Sequence, residues 1–333
     1  MNAKDLFDIT GKKAIVTGGT RGLGYGMAEG LLEAGCEVAI VGTSDKVFSV
    51  ADEFKSRGFK CYGVKANLAV REEIYKCFNE CVEKLGGTLD ILVTAHGIQR
   101  RHSAEVFPIE EWDEVLNVNL NSVFILCQEA GKIMLAKGYG KIITIASMVS
   151  WFGGQTVPAY SAAKGGVTQL TKELSNDWIA RGVNVNSIAP GYMATEMNAA
   201  LLDKNNPRYQ QITERIPANR WGTGDDMKGA CIFLASHASD YLGGAIIPVD
   251  GGFSACHEQI HIDRQFDIDD LVVVEGQLHT DTFFEERSRI FQNLGGNSRL
   301  FESFIVHEIV KVAVTVKIVD ILEIQRDILN TVS

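Results

Sequence analysis

Short, mainly apolar runs alternate with longer amphipathic stretches along most of this chain. The runs at residues 13–16, 37–41, 60–64, 90–94, 141–146, 183–188 and 245–249 are four to six residues long and rich in valine and isoleucine. Such runs are too brief for buried helices and suit buried strands. Between them, residues 25–34, 47–57, 71–85, 118–136, 160–180 and 225–235 carry apolar positions at helical spacing, and Gly35 is placed to stop the first of these helices. Largely apolar strands, each followed by a helix, predict a parallel sheet covered on both faces, a doubly wound α/β fold. Residues 192–220 break the rhythm, being long, polar and sparsely periodic, and are expected to form a substrate-covering lid. No internal repeat is visible.

The rhythm stops at Cys256. Residues 256–333 hold four of the seven histidines and fourteen acidic against seven basic side chains, and their apolar runs, such as 271–274 and 309–318, cluster β-branched residues. The division expected is a main domain at 1–255 and a C-terminal extension at 256–333, separate, poorly packed or β-rich, and of unknown role. His257 and His261 lie four apart, a spacing more common in solvated pairs than in metal sites.

Composition narrows the function classes. A chain of 333 residues with 46% hydrophobic side chains can bury a large core. A net charge of −10, with no basic cluster among aromatics, excludes a nucleic-acid partner. No run reaches the ~18 apolar residues of a membrane span, and the first residues lack the apolar centre of a signal peptide, so no membrane partner and a cytoplasmic location are expected. The seven cysteines are scattered and mostly sit in apolar stretches, which suits reduced core thiols. Cys77 and Cys81 have no second pair at zinc spacing, and no metal site is expected.

Two stretches carry chemistry. The first apolar run leads into Thr17-Gly18-Gly19-Thr20-Arg21-Gly22-Leu23-Gly24. Glycines after a strand allow a tight turn and close backbone approach to a pyrophosphate, which the next helix N-terminus stabilises with free N–H groups and its dipole. That is a dinucleotide site on a Rossmann-type sheet. In the second stretch, Tyr160 and Lys164 are one helical turn apart, so a phenol and an ammonium share a face. A phenol titrating near ~10 is a poor base at neutral pH, and a fixed cation beside it favours the phenolate. Ser147, at the end of the fifth run, can hydrogen-bond the same reacting oxygen. A bare Y-x-x-x-K is usually a surface pair; the glycine turn upstream turns it into a candidate active site.

With these motifs in this order, residues 6–255 resemble the short-chain dehydrogenase/reductase family. The resemblance implies a Tyr160 base, Lys164 holding its pKa down and binding the nicotinamide ribose, Ser147 fixing the substrate oxygen, and Asn119 holding a proton-relay water. It also implies cofactor contacts from Thr17, Gly18, Thr20, Arg21, Gly22, Leu23, Gly24, Asn67, Thr94, Gly97, Tyr160, Lys164, Pro190, Gly191 and Thr195. A homotetramer is the family's usual assembly. The competing class is a binding protein that keeps the dinucleotide fold without catalysis.

Two departures stand out. Where the family carries Asn-Asn-Ala-Gly, this chain has Thr94-Ala95-His96-Gly97; Thr94 can still hydrogen-bond through its hydroxyl, and His96 is either a packed, hydrogen-bonded ring or a pH sensor. At the end of the second strand, where an acid takes the NAD ribose or a base the NADP phosphate, stand Gly42-Thr43-Ser44. NAD is expected, with NADP as the second possibility because Arg21 leans toward it. Residues 97–101, 188–195 and 215–222 resemble the branch acting on hexonic acids, the 2-deoxygluconate 3-dehydrogenases and 2-keto-3-deoxygluconate 5-dehydrogenases, with gluconate 5-dehydrogenases nearby. Reductases of other substrates, such as 3-oxoacyl thioesters, are the alternative within the family. A sugar acid needs a cation for its carboxylate, and Arg101 and Arg220 are the candidates, beside Ser147 for a hydroxyl.

Overall fold

On a strand, side chains two apart point to the same face, and that period divides the apolar residues of this chain between two layers. The computed structural model describes residues 2–255; the extension at 256–333, with its expected strands, lies outside the described residues. The seven strands are β1 (Lys13–Thr17), β2 (Glu37–Gly42), β3 (Cys61–Lys65), β4 (Ile91–Thr94), β5 (Gly140–Ile145), β6 (Val183–Pro190) and β7 (Ile246–Val249). All pairings are parallel, in the order β3-β2-β1-β4-β5-β6-β7.

Ala14 and Val16 of β1, Val38 and Ile40 of β2, and Ile91 and Val93 of β4 face one layer. It is made by α1 (Gly22–Glu33), α2 (Lys46–Ser56) and α8 (Lys228–Ala235). Ile15, Ala39, Val41 and Leu92 face the other, made by α3 (Arg71–Lys84), α5 (Ser122–Lys137) and α6 (Pro158–Trp178). Every residue of β5 and β6 is buried, as a sheet covered on both faces requires. The predicted doubly wound Rossmann-type sheet is therefore the observed one. Strand order reverses between β1 and β4, so the crevice at their C-terminal ends is where such folds bind ligands.

Two segments differ from expectation. The helix expected at 118–136 is preceded by α4 (Ile109–Leu116), and a π-turn (Asn117–Asn121) joins the two. In α4 the apolar residues Ile109, Trp112, Val115 and Leu116 recur at helical spacing, but the helix is only eight residues long and of them only Val115 is buried. The stretch at 192–220 is not irregular throughout: it holds a 3-10 turn (Glu196–Leu201) and α7 (Pro207–Glu214). Asn206 caps α7 by accepting from Arg208 N at 3.0 Å, and Pro207 opens its first turn, where a missing N–H costs nothing. This segment has a small core of its own, Met148, Ile212, Ile216, Trp221 and Phe253.

Candidate active site

The strand ends bring the motif residues together. Thr17 closes β1, Thr94 closes β4, Ser147 follows β5 and Pro190 closes β6. After β1 the backbone turns at Gly18, whose φ of +69° is left-handed. A Cβ there would stand 2.9 Å from Ala95 O and from the His96 backbone, so only glycine lets the first turn lie against the β4 loop. Gly18 N donates to Val41 O at 2.8 Å, and α1 starts at Gly22 with its first N–H groups facing the crevice end of the sheet. Thr195 lies against Gly22, so the segment at 192–220 passes beside the glycine turn. Arg21 forms an ion pair with Glu196, the next residue of that segment. Asn67, exposed after β3, accepts from Ala69 N at 3.0 Å and shapes its own turn. These residues form a cradle of small side chains and backbone donors that fits a dinucleotide.

Tyr160 and Lys164 stand on the first turns of α6, as the spacing predicts. Lys164 is 3% exposed, and its Nζ lies 5.6 Å from the Tyr160 ring centre. Nζ donates to Ile145 O at 2.6 Å, across the end of β5. Burial pushes its pKa down to about 8. Burial also raises the Tyr160 phenol, while its hydrogen bond with Ser147 and then the Arg101 charge pull it down. The chain's own groups therefore leave the phenol protonated at neutral pH.

Ser147 heads a short turn in which Ser147 Oγ accepts from Val149 N at 3.4 Å, and Ser147 N donates to Ser150 Oγ at 3.3 Å. Ser150 Oγ in turn donates to Lys164 O at 2.9 Å, fastening the Ser147 turn to the lysine's helix. Ser150 was missed in the sequence; its Ser-x-x-Ser spacing is the signal, a variant of the capping box.

Asn119 is fully buried in the π-turn, and its amide is engaged on both sides: Oδ1 accepts from Ile98 N at 2.9 Å and Nδ2 donates to Ile98 O at 2.8 Å. It clamps the loop after Gly97. At Gly166 an added Cβ would meet Leu120 at 2.9 Å, so that glycine lets α6 pack directly on the π-turn. Thr94 keeps a buried hydroxyl that has no hydrogen-bond partner among the described residues. His96 is hydrogen-bonded at both ring nitrogens, to Thr17 Oγ1 and Ser122 Oγ, each at 2.6 Å. Burial, with the Lys164 charge second, pushes its pKa down to about 3, so the ring is neutral and senses no physiological pH.

The two candidate arginines are placed differently. Arg220 is held bidentately by Asp226, at 2.8 and 2.7 Å, and lines a cavity of about 120 Å³ with Tyr192, Met193 and Asp250. Arg101 is exposed, and its charge reaches Tyr160. Its neighbours are tied down: Arg100 pairs with Glu114 at 2.9 Å and His102 with Glu111 at 2.8 Å. His102 N also donates to Thr156 O at 3.0 Å, where Thr156 has a φ of +63° just before α6. A strained backbone position beside a candidate site is where such strain tends to be kept.

The family model described as enoyl-(acyl carrier protein) reductase, a short-chain alcohol dehydrogenase model, matches residues 18–254. The chain belongs to the short-chain dehydrogenase/reductase family. It is accordingly an oxidoreductase of CH–OH groups that works with a nicotinamide dinucleotide. It is 44% identical over 249 residues to the 2-dehydro-3-deoxy-D-gluconate 5-dehydrogenase of Bacillus subtilis (strain 168), covering 75% of this chain and 97% of that one. It is 36% identical to the gluconate 5-dehydrogenase of Gluconobacter oxydans (strain 621H), over 76% of this chain and 99% of that one. Among solved structures it is similar to a gluconate 5-dehydrogenase from Burkholderia cenocepacia J2315 in complex with NADP and tartrate. The TM-score is 0.73 at 38% identity, covering 77% of this chain and 100% of that one.

Among the described residues, no group of His, Cys, Asp and Glu side chains is arranged to hold a metal ion. The six described cysteines are buried, and burial pushes the thiols of Cys36, Cys61, Cys77 and Cys127 up to about 12, which leaves them unreactive. No helix among the described residues is long and apolar enough to cross a membrane.

Proposed function

We propose that this chain interconverts a secondary alcohol and a ketone on a sugar acid of the hexonate or 3-deoxyhexulosonate type. The observation that carries the reading is the convergence of Ser147, Tyr160 and buried Lys164 with an exposed Arg101 whose charge reaches Tyr160. The relatives named for gluconate and deoxygluconate dehydrogenases, and the related structure with tartrate, support the same substrate class. In the oxidative direction Tyr160 takes the hydroxyl proton, Ser147 holds the oxygen by a hydrogen bond, and the Lys164 cation stabilises the phenolate. The nicotinamide, when bound, accepts the hydride. Arg101 takes the substrate carboxylate by a charge-assisted bond, while Arg220 ties the lid base to the turn before α8.

For the cofactor, two cations near the end of β2 are engaged within the chain, Arg21 by Glu196 and Lys65 by Asp45 at 2.9 Å. This supports NAD over NADP, whereas the related structure with NADP is a relative that accepts the phosphate. By family resemblance the enzyme works as a cytoplasmic homo-oligomer, a tetramer. The test is a panel of hexonates, 3-deoxyhexulosonates, neutral alcohols and 3-oxoacyl thioesters, followed at the nicotinamide absorbance with each cofactor. Turnover confined to the sugar acids, with the higher kcat/KM on NAD, is expected. Thioester turnover without sugar-acid turnover contradicts the substrate reading, and a clear NADP preference contradicts the cofactor reading.

A further inference from the structure

His96 stands where its surroundings fix not only its place but the position of its proton. Ser122 Oγ lies 2.6 Å from Val118 O, an acceptor with no proton to give, so the single Ser122 hydroxyl proton is directed there. The contact between His96 Nε2 and Ser122 Oγ, also 2.6 Å, then requires that Nε2 carry the hydrogen. With the ring neutral, Nδ1 is left as a lone-pair acceptor. Thr17 Oγ1, at 2.6 Å from Nδ1 and 3.3 Å from Val93 O, donates to the ring. The result is one directed chain, Thr17 to His96 to Ser122 to Val118 O, in which every proton has one destination.

Its ends lie on two parts of the site that otherwise meet through backbone packing. Thr17 opens the glycine turn, and Gly18 rests on the His96 backbone. Ser122 and Val118 belong to the π-turn region that buries Asn119, and Asn119 clamps Ile98, two residues beyond His96. The segment His96-Gly97-Ile98 is therefore fastened by its histidine ring on one side and by the Asn119 amide on the other.

We propose that His96 is a positioning residue that sets the glycine turn in register with the π-turn, so that a bound dinucleotide is seated correctly relative to Asn119 and Lys164. This rests on the proposed dehydrogenase reading for its consequence on turnover, but its first consequence, on cofactor binding, does not depend on any substrate. The ring acts through Thr17 and touches neither substrate nor the reacting atoms.

The test is a double-mutant cycle read by titrating NAD into the purified full chain and following tryptophan fluorescence. His96→Leu keeps apolar bulk and removes both bonds; Thr17→Val removes only the hydroxyl. Each is expected to weaken NAD binding about tenfold, the worth of a buried neutral hydrogen bond, and the double variant to be no weaker than His96→Leu alone. His96→Asn, whose amide oxygen can stand near the Nδ1 position, is expected to recover most of the affinity, and it remains informative if the leucine variant does not fold. A melting temperature that falls while NAD affinity of the folded protein stays at the wild-type value would make His96 a packing residue only. Full additivity of the two single variants would likewise overturn the proposal. Failure of the sugar-acid panel with an intact cycle would remove the substrate reading and leave this one standing.

Discussion

Each end of β5 has a buried ammonium beside it, and the two are treated differently. At the start of the strand, Lys141 is 1% exposed, and its Nζ meets Asp240 at 2.6 Å, Asn184 at 2.9 Å and Ser239 at 3.4 Å. All three ammonium protons of Lys141 thus have acceptors within the chain, one of them a carboxylate. At the end of the strand, Lys164 is 3% exposed and has one acceptor among the described residues, Ile145 O. Burial lowers both pKa values, but only Lys141 has an acid beside it to offset the loss. A buried lysine with satisfied protons holds a fold together; one with protons to spare is arranged for something that arrives. The two candidate arginines repeat the contrast, Arg220 being held by Asp226 and Arg101 having no such carboxylate among the described residues.

The contrast can be broken first at the lysines. Lys164→Met is expected to lower kcat/KM by about 10³-fold, within the range for a group that assists proton transfer, while the melting temperature holds or rises because a buried charge is removed. Lys141→Met is expected to do the reverse. It leaves Asn184 and a half-exposed Asp240 without their cation, costing about 2 kcal/mol, below the usual range for a fully buried pair, with kcat unchanged. Steady-state kinetics and thermal melts on both variants check this, and a stability loss at Lys164 with full activity would invert the assignment.

A smaller effect is expected at the arginines. Arg101→Ala should raise KM for a sugar acid about 10- to 100-fold, as for a lost charge-assisted bond, and leave a neutral alcohol substrate nearly unaffected. Arg220→Ala should change KM little. Equal KM effects from the two would show that the Asp226 pair does not decide their roles.

The pH dependence sharpens the same point. Lys164, pushed down to about 8, is charged below that pH and neutral above it. Ketone reduction takes up a proton and needs the cation beside the phenol, so its kcat/KM should fall as pH rises through about 8. His96, pushed down to about 3, adds no limb in the physiological range. A limb near the ordinary histidine value that disappears in His96→Asn would contradict the neutral ring.

Much of this was readable in the sequence because it depends on neighbours along the chain. The β1, β2 and β4 runs are almost wholly apolar, and a parallel sheet covered on both faces needs that; Tyr160 and Lys164 share a face because they are four apart. What could not be read depends on partners far away. The His96 bonds span 79 residues to Thr17 and 26 to Ser122. Arg220 differs from Arg101 through Asp226, six residues on, whose return onto the guanidinium depends on the turn before α8. The helix α4 is eight residues long, so its apolar positions at 109, 112, 115 and 116 span barely two turns, short of the about ten or more residues that set a helix apart from a short apolar run.

The most direct measurement is on Tyr160→Phe, which removes one hydroxyl and keeps the ring. NAD affinity by fluorescence titration should stay within about twofold of wild type, and sugar-acid kcat should fall by about 10³-fold or more, as expected for loss of a positioned acid–base group. Turnover by Tyr160→Phe close to the wild-type rate would contradict the assignment of proton transfer to this corner of the molecule.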